Sequence, residues 1–168
     1  MTDLVLPAPL WRRLVALAYD GLLYVALLMA GLVLAIPFVA FVVADDARTP
    51  LHNYVILQAY GFVVGAGFFG WSWTRGGQTL GMRVWRLQVR RLDGARLRWP
   101  VAILRFAAGL VPVLAGLWLG KQFGATAYGA ALLGYLPCLL SSRGQAFNDL
   151  IAGTEVVELP RPVAPPAA

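Results

Sequence analysis

Apolar residues in this chain come in blocks about as long as a lipid bilayer is thick. Between Gly21 and Ala44 there are 24 consecutive positions without a charge, and a helix needs roughly 20 to cross a hydrocarbon core about 30 Å deep. A second charge-free interval runs from Thr49 to Thr74. A third begins near Val101 and carries Arg105 in its first turns. A fourth covers Phe123 to Leu140, with Gly120-Lys121-Gln122 between the two as the turn of a tight helical hairpin. The pattern predicts spans at about 14–43, 54–73, 101–119 and 123–140 inside one membrane domain, 8–159. Pro112 and Pro137 fall inside the last two spans. Gly61/Gly65 and Gly116/Gly120 have the four-residue spacing of close helix contacts.

The long connector between the second and third spans follows a different period. In Val84–Trp99, Trp85, Leu87 and Val89 alternate with Arg86, Gln88 and Arg90, and Asp93-Gly94 follows. Alternation by two ending in Asp-Gly predicts a β-hairpin over about 84–99. Downstream, Thr154–Leu159 is rich in strand formers and is expected to add a third strand, because an isolated hairpin is marginal in water. Gly76–Gly81 is read as a turn releasing the chain from the second helix; it lacks the Lys-Ser/Thr ending of a phosphate loop. The Pro/Ala-rich segment 160–168 is expected to be disordered. The fold class is therefore an all-α membrane protein, a four-transmembrane-helix bundle with a small cytoplasmic β-hairpin element.

Composition agrees. The chain is 60% apolar and 13% charged, against about 25% charged residues in ordinary soluble domains. The net charge of +6 is concentrated in the connector, which holds seven arginines and one acid. Segments on the connector's side of the membrane carry eleven basic residues and the other side two, Arg48 and Lys121. The positive-inside rule then places both termini in the cytoplasm. Trp11, Trp71, Trp73, Trp99 and Trp118 lie near predicted helix ends, where aromatic side chains anchor at the interface.

The connector arginines fit anionic lipid headgroups, at about 1 kcal/mol each, or a cytoplasmic protein partner. Nucleic acid is not expected, since no aromatic base-stacking platform accompanies them. No signal peptide is expected, although Val42-Val43-Ala44 resembles a cleavage site. Cys138 is the only cysteine and His52 the only histidine, so no disulfide, zinc site or cofactor is expected, and Cys138 reads as a packing residue. Ser141-Ser142 have no nearby histidine, and no enzymatic activity is expected.

The chemistry is in the few charges inside the apolar blocks. Asp20 lies about 10 Å deeper than Arg13 along one helix, and seven steps of about 100° return to nearly the same face. An acid at that depth costs about 2.5–3.5 kcal/mol and is expected to face the bundle interior with a partner. Arg105, at similar depth on the third span, is the expected partner. Asp149, just after the fourth span, is expected to meet Arg12 or Arg13. Arg13, Asp20, Arg105 and Asp149 thus form a candidate polar cluster near the cytoplasmic leaflet, architectural or ligand-binding.

Several motifs together carry a family resemblance: Arg13-x-x-Ala16-x-x-x-Asp20, Gly77-Gln78-Thr79-Leu80-Gly81-Met82-Arg83, Arg105, and Gln145-Ala-Phe-Asn148-Asp149-Leu-x-Ala-Gly153-Thr154. In that order they resemble the RDD family of small bacterial membrane proteins, with Arg13, Asp20 and Asp149 at the positions of the naming arginine and two aspartates. The resemblance extends from about residue 8 to 159. It implies the bacterial inner membrane and transport of a small ligand, with sodium–proton exchange in some members. Asn148 departs from the histidine often found before the second aspartate, and Met82 from the lysine common after Gly81. Four short helices leave little room for a private pathway, so a carrier of this size is expected to be a homo-oligomer.

Overall fold

Three long helices carry most of the apolar length. The structure is a computed structural model that describes residues 6–43 and 50–160, with side-chain surroundings for 6–35 and 55–160. Arg48, Ala44 and the segment from 161 lie outside the described residues, as does the side chain of His52. The long helices are α1 (Leu10–Val43), α2 (Pro50–Arg75) and α4 (Trp99–Phe123), each long and apolar enough to cross a membrane. Between them lie α3 (Leu80–Val84) and β1 (Leu87–Arg91). After α4 come a 3-10 helix (Ala125–Tyr135), α5 (Pro137–Leu140), α6 (Phe147–Ala152) and β2 (Thr154–Glu158).

The fourth apolar block is not a regular α-helix. α4 runs past the expected turn to Phe123 and ends at Gly124, whose φ of 93° favours glycine. The chain then returns antiparallel to α4 as an 11-residue 3-10 helix, long for that geometry. Packing on α4 accounts for it. A Cβ at Gly116 would lie 2.6 Å from the Ala131 nitrogen, one at Gly120 2.3 Å from Tyr128, and one at Gly134 2.6 Å from Pro112. Contact positions are therefore spaced by about four on α4 and by three on the returning helix. Four α residues and three 3-10 residues both rise about 6 Å, so the two rows stay in step.

The expected hairpin is also corrected. Asp93-Gly94 does turn the chain, with Gly94 at φ 79° and the Ala95 N–H donating to the Asp93 side chain at 3.0 Å. The residues that follow, however, lead into α4. A hairpin on that turn would put Arg96 opposite Arg91, and like charges directly across a ladder are destabilising. β1 instead pairs antiparallel with β2, with Val89 opposite Val156 and Arg90 opposite Glu155. Arg90 Nε donates to Glu155 at 2.8 Å. The expected alternation holds on β1, since Leu87 and Val89 are buried and Gln88 and Arg90 only partly so. The expected strand Thr154–Leu159 forms as β2, in a sheet of two strands. Its other edge is bridged by Pro7, with the Ala8 N–H donating to the Val156 carbonyl at 3.0 Å.

The buried core lies at the sheet end of the bundle, where Ala8, Ala16, Met82, Leu87, Val89 and Phe106 pack together. Away from it the long helices expose apolar side chains, up to 80% for Leu34. There α1 and α2 are tied by two hydroxyls: Tyr24 donates to the Gly61 carbonyl at 2.7 Å, and Tyr60 to the Leu28 carbonyl at 3.1 Å. Trp11, Trp71, Trp99 and Trp118 are exposed, as interfacial anchors should be, but Trp73 is buried against Phe69.

Candidate functional site

α6 sets Asp149 at the centre of the polar cluster. Asp149 is the third residue of this one-and-a-half-turn helix and accepts from the Ala146 N–H at 3.0 Å, half of a capping box. Gly153 ends the helix in the left-handed region at φ 62° and turns the chain directly into β2. The short helix thus carries the acid into the protein and brings Thr154 up behind it.

Asp149 is 0% exposed, and both buried arginines converge on it. Arg13 Nη1 donates to Oδ2 at 2.8 Å, Arg105 Nη1 donates to Oδ1, and Thr154 Oγ1 donates to Oδ1 at 3.2 Å. The other donors of Arg13 are also used, with Nε on the Ala8 carbonyl at 3.2 Å and Nη2 on the Val156 carbonyl at 3.0 Å. Arg13 therefore ties the N-terminal segment, α1, α6 and β2 together. Its Nη1 also lies 3.6 Å from Cys138 Sγ, so Cys138 borders the cluster. Arg105 lies with Cζ 5.0 Å from the centre of the Trp73 ring, a cation–π contact that places this buried indole beside the cluster. Burial pushes the Asp149 carboxyl up, but Arg105 and Arg13 outweigh it and hold the acid below the usual carboxylate range. Arg12, the alternative partner expected from the sequence, pairs with Glu158 instead.

Asp20 has different company from that expected. It is 4% exposed, but neither Arg105 nor Arg13 pairs with it. Its carboxylate accepts from the Thr79 hydroxyl and, at 2.9 Å, from the Gly81 N–H. Thr79 caps α3, accepting from the Met82 N–H at 3.3 Å. A Cβ at Gly81 would lie 2.5 Å from the Ala16 carbonyl and 2.9 Å from Asp20 Oδ1, so only glycine lets α3 approach α1 this closely. Two neutral donors replace the expected cation because the arginines are committed to Asp149. Thr79, Gly81 and Thr154 were missed as partners in the sequence reading. The available signal was a Thr two residues before a glycine at the start of a helix.

All four residues line one cavity of about 430 Å³ between α1 and the hairpin of α4 with the 3-10 helix. Its remaining wall is chiefly apolar and aromatic, including Leu17, Tyr24, Phe69, Phe106, Leu110 and Tyr135. This volume lies within the range of about 300–1,000 Å³ typical of ligand pockets. Asn148 lies in the same wall beside Asp149. Tyr135 and Asn148 were not singled out as cavity residues from sequence.

Comparison with known proteins finds no match among curated proteins and none among solved structures. The apolar helices mark a membrane protein in which Arg13 pairs with Asp149 and Asp20 is buried. A family model described as the RDD family matches residues 7–153, nearly the whole chain, and the protein belongs to that family.

Proposed function

We propose that the protein crosses the bacterial inner membrane four times, with both termini in the cytoplasm, and carries a small ligand through the cavity beside Asp20. The 3-10 geometry supports the fourth crossing. Sixteen residues from Ala125 to Leu140 would rise only about 24 Å as an α-helix, but about 30 Å with the first eleven in 3-10 form, near the hydrocarbon thickness. The excess of arginine at the sheet end supports the orientation. Reporter fusions at residue 96 and residue 122 test it: residue 96 should report the cytoplasm and residue 122 the opposite side.

The observation that carries the functional reading is the cavity itself, a largely apolar hollow whose wall also includes Arg13, Asp20, Arg105 and Asp149. Asp149 and Arg13 are saturated by each other and by backbone groups, so we assign them to architecture. Among the described residues Asp20 meets only neutral donors, and it is the acid that can answer a cationic ligand or a proton. Two glycines in the wall provide the test. A Cβ at Gly21 meets nothing within 4 Å, and one at Gly109 meets only Asn148, at 3.8 Å. Gly21→Leu and Gly109→Leu should therefore fill the chamber and leave the fold intact. A small-molecule thermal-shift screen on purified protein should find compounds that stabilise wild type and not the filled variants, by about 2.7 kcal/mol at a hundredfold excess over Kd. Those compounds, protons and sodium should then be followed into proteoliposomes. Equal shifts in wild type and filled variants would refute a cavity ligand, and binding without flux would refute carriage.

The saturation of Arg13 and Asp149 also favours a second reading, a non-transporting scaffold whose basic sheet faces a protein partner or anionic lipid. Binding without flux, or no binding at all, would leave that reading in place. A homo-oligomer is expected under the carrier reading, and mass measurement in nanodiscs tests it.

A further inference from the structure

A second cavity lies on a different face of α2 and is independent of the carrier reading. It is a groove of about 720 Å³ with Leu27 on α1, Val64, Phe68, Trp71 and Arg75 on α2, and Arg83 on α3 in its wall. The α2 residues are spaced by four, three and four, so they form one stripe along the helix. Phe69 and Trp73, which face the first cavity, lie on another face.

The stripe is ordered by polarity. Its apolar end is Val64 and Phe68, with Leu27 across from them, and its polar end is Arg75, with Gln78 and Arg83 beside it. Trp71 lies between the two ends, 56% exposed, with the Arg75 guanidinium 4.2 Å from its ring centre. Arg83 folds back over the turn, so that a Cβ on Gly76 would lie 3.8 Å from its Nη2. From Val64 to Arg75 the helix rises about 16 Å, close to half of the roughly 30 Å hydrocarbon core. An exposed tryptophan near the charged end marks the headgroup level. Among the described residues, the connector's ion pairs engage Arg86, Arg90 and Arg91, and neither Arg75 nor Arg83 forms one.

Two cations at headgroup depth above an apolar trough one leaflet deep match a molecule with a negative head and a hydrocarbon tail. We propose that this groove holds one anionic phospholipid, with its phosphate between Arg75 and Arg83 and an acyl chain along Leu27, Val64 and Phe68. The site is thus more specific than the general attraction of a basic surface for an acidic membrane.

The test uses the full chain in detergent and in nanodiscs, with phosphatidylglycerol and phosphatidylcholine as probes, and counts retained lipid by native mass spectrometry. Wild type should keep one phosphatidylglycerol in preference to phosphatidylcholine. Arg75→Gln/Arg83→Gln should lower that affinity roughly thirtyfold, the value of two basic contacts. Arg96→Gln/Arg98→Gln removes the same charge from exposed positions outside the groove and should leave retention unchanged. Gly67→Phe keeps both arginines and fills the trough, where a Cβ meets nothing within 4 Å, and it too should expel the lipid. Equal loss in the two arginine pairs would overturn the proposal in favour of diffuse surface attraction. Retention by the groove pair, or by Gly67→Phe, would overturn it as well.

Discussion

Removing the charge of Asp149 without changing its shape isolates what the cluster contributes. In Asp149→Asn the two guanidiniums that share the carboxylate keep their charge, because arginine does not deprotonate in proteins. Asn offers one carbonyl oxygen where the carboxylate offered two, and its amide N–H groups would face Arg13 or Arg105. The site is fully buried, so water cannot take the place of the lost anion. Breaking a buried pair by removing one partner costs about 3–5 kcal/mol. At about 2–4 °C per kcal/mol for a chain of this size, Tm should fall by roughly 6–20 °C. Acid gives an independent readout. The folded carboxyl is held below its ordinary value of about 3.9. Its contribution is therefore complete above that value and is lost as pH falls through the lower folded value. Wild-type Tm should drop on acidification below about pH 4, and Asp149→Asn should lack that component. Thermal denaturation followed by tryptophan fluorescence from pH 3 to 7 measures both effects. A Tm within a few degrees of wild type at pH 7, with the same acid limb, would refute the assignment of Asp149 as the shared counter-ion.

Asp20→Asn should be milder, about 1 kcal/mol, because the amide oxygen can still accept from the Gly81 N–H while the amide NH2 donates to the Thr79 hydroxyl, which can turn from donor to acceptor; a loss as large as that of Asp149→Asn would mean a missed cationic partner. Gly81→Ala forces a methyl against the Ala16 carbonyl, which is backbone and cannot swing aside, and should cost about 1–3 kcal/mol in the same melts. Gly116→Leu should splay the 3-10 helix from α4, seen as faster proteolysis of the 124–140 segment in nanodiscs; unchanged protection would argue against the close approach at Ala131. Glu155→Gln breaks a partly exposed pair with Arg90 and should change Tm by no more than about 1 kcal/mol equivalent.

Sequence made the three long helices legible because an apolar run of bilayer length, charge-free in the first two and interrupted within the third span by Arg105 alone, has few alternatives. It also showed β1 and β2, through strict alternation on one and β-branched residues on the other. Their pairing was misread because Asp93-Gly94 is a strong local turn signal, whereas the choice of Glu155 and Glu158 as partners for the arginines is non-local. The fourth block looked like any other apolar helix, since hydropathy does not report rise per residue; only the glycine and alanine rows against α4 distinguish it. Both arginines and both acids were identified as a cluster, and Arg13 was one of the two partners expected for Asp149, but Arg105 pairs with Asp149 and not with Asp20 as expected. Depth along a helix places a charge without naming its neighbour, and α6 brings Asp149 close enough to take both cations. Asp20 then relies on Thr79 and Gly81, whose motif was visible although its reach across to α1 was not.

The way Arg13 is held also imposes an order of events during synthesis. The arginine is made with the opening turns of α1, yet its carboxylate and one of its carbonyls arrive only with α6 and β2, after every long helix has been translated. Until then two guanidiniums wait at the membrane surface without their counter-ion, and the early helices are inserted but unfastened. A chain cut short before Asp149 would therefore keep its apolar segments but lack the group that latches them.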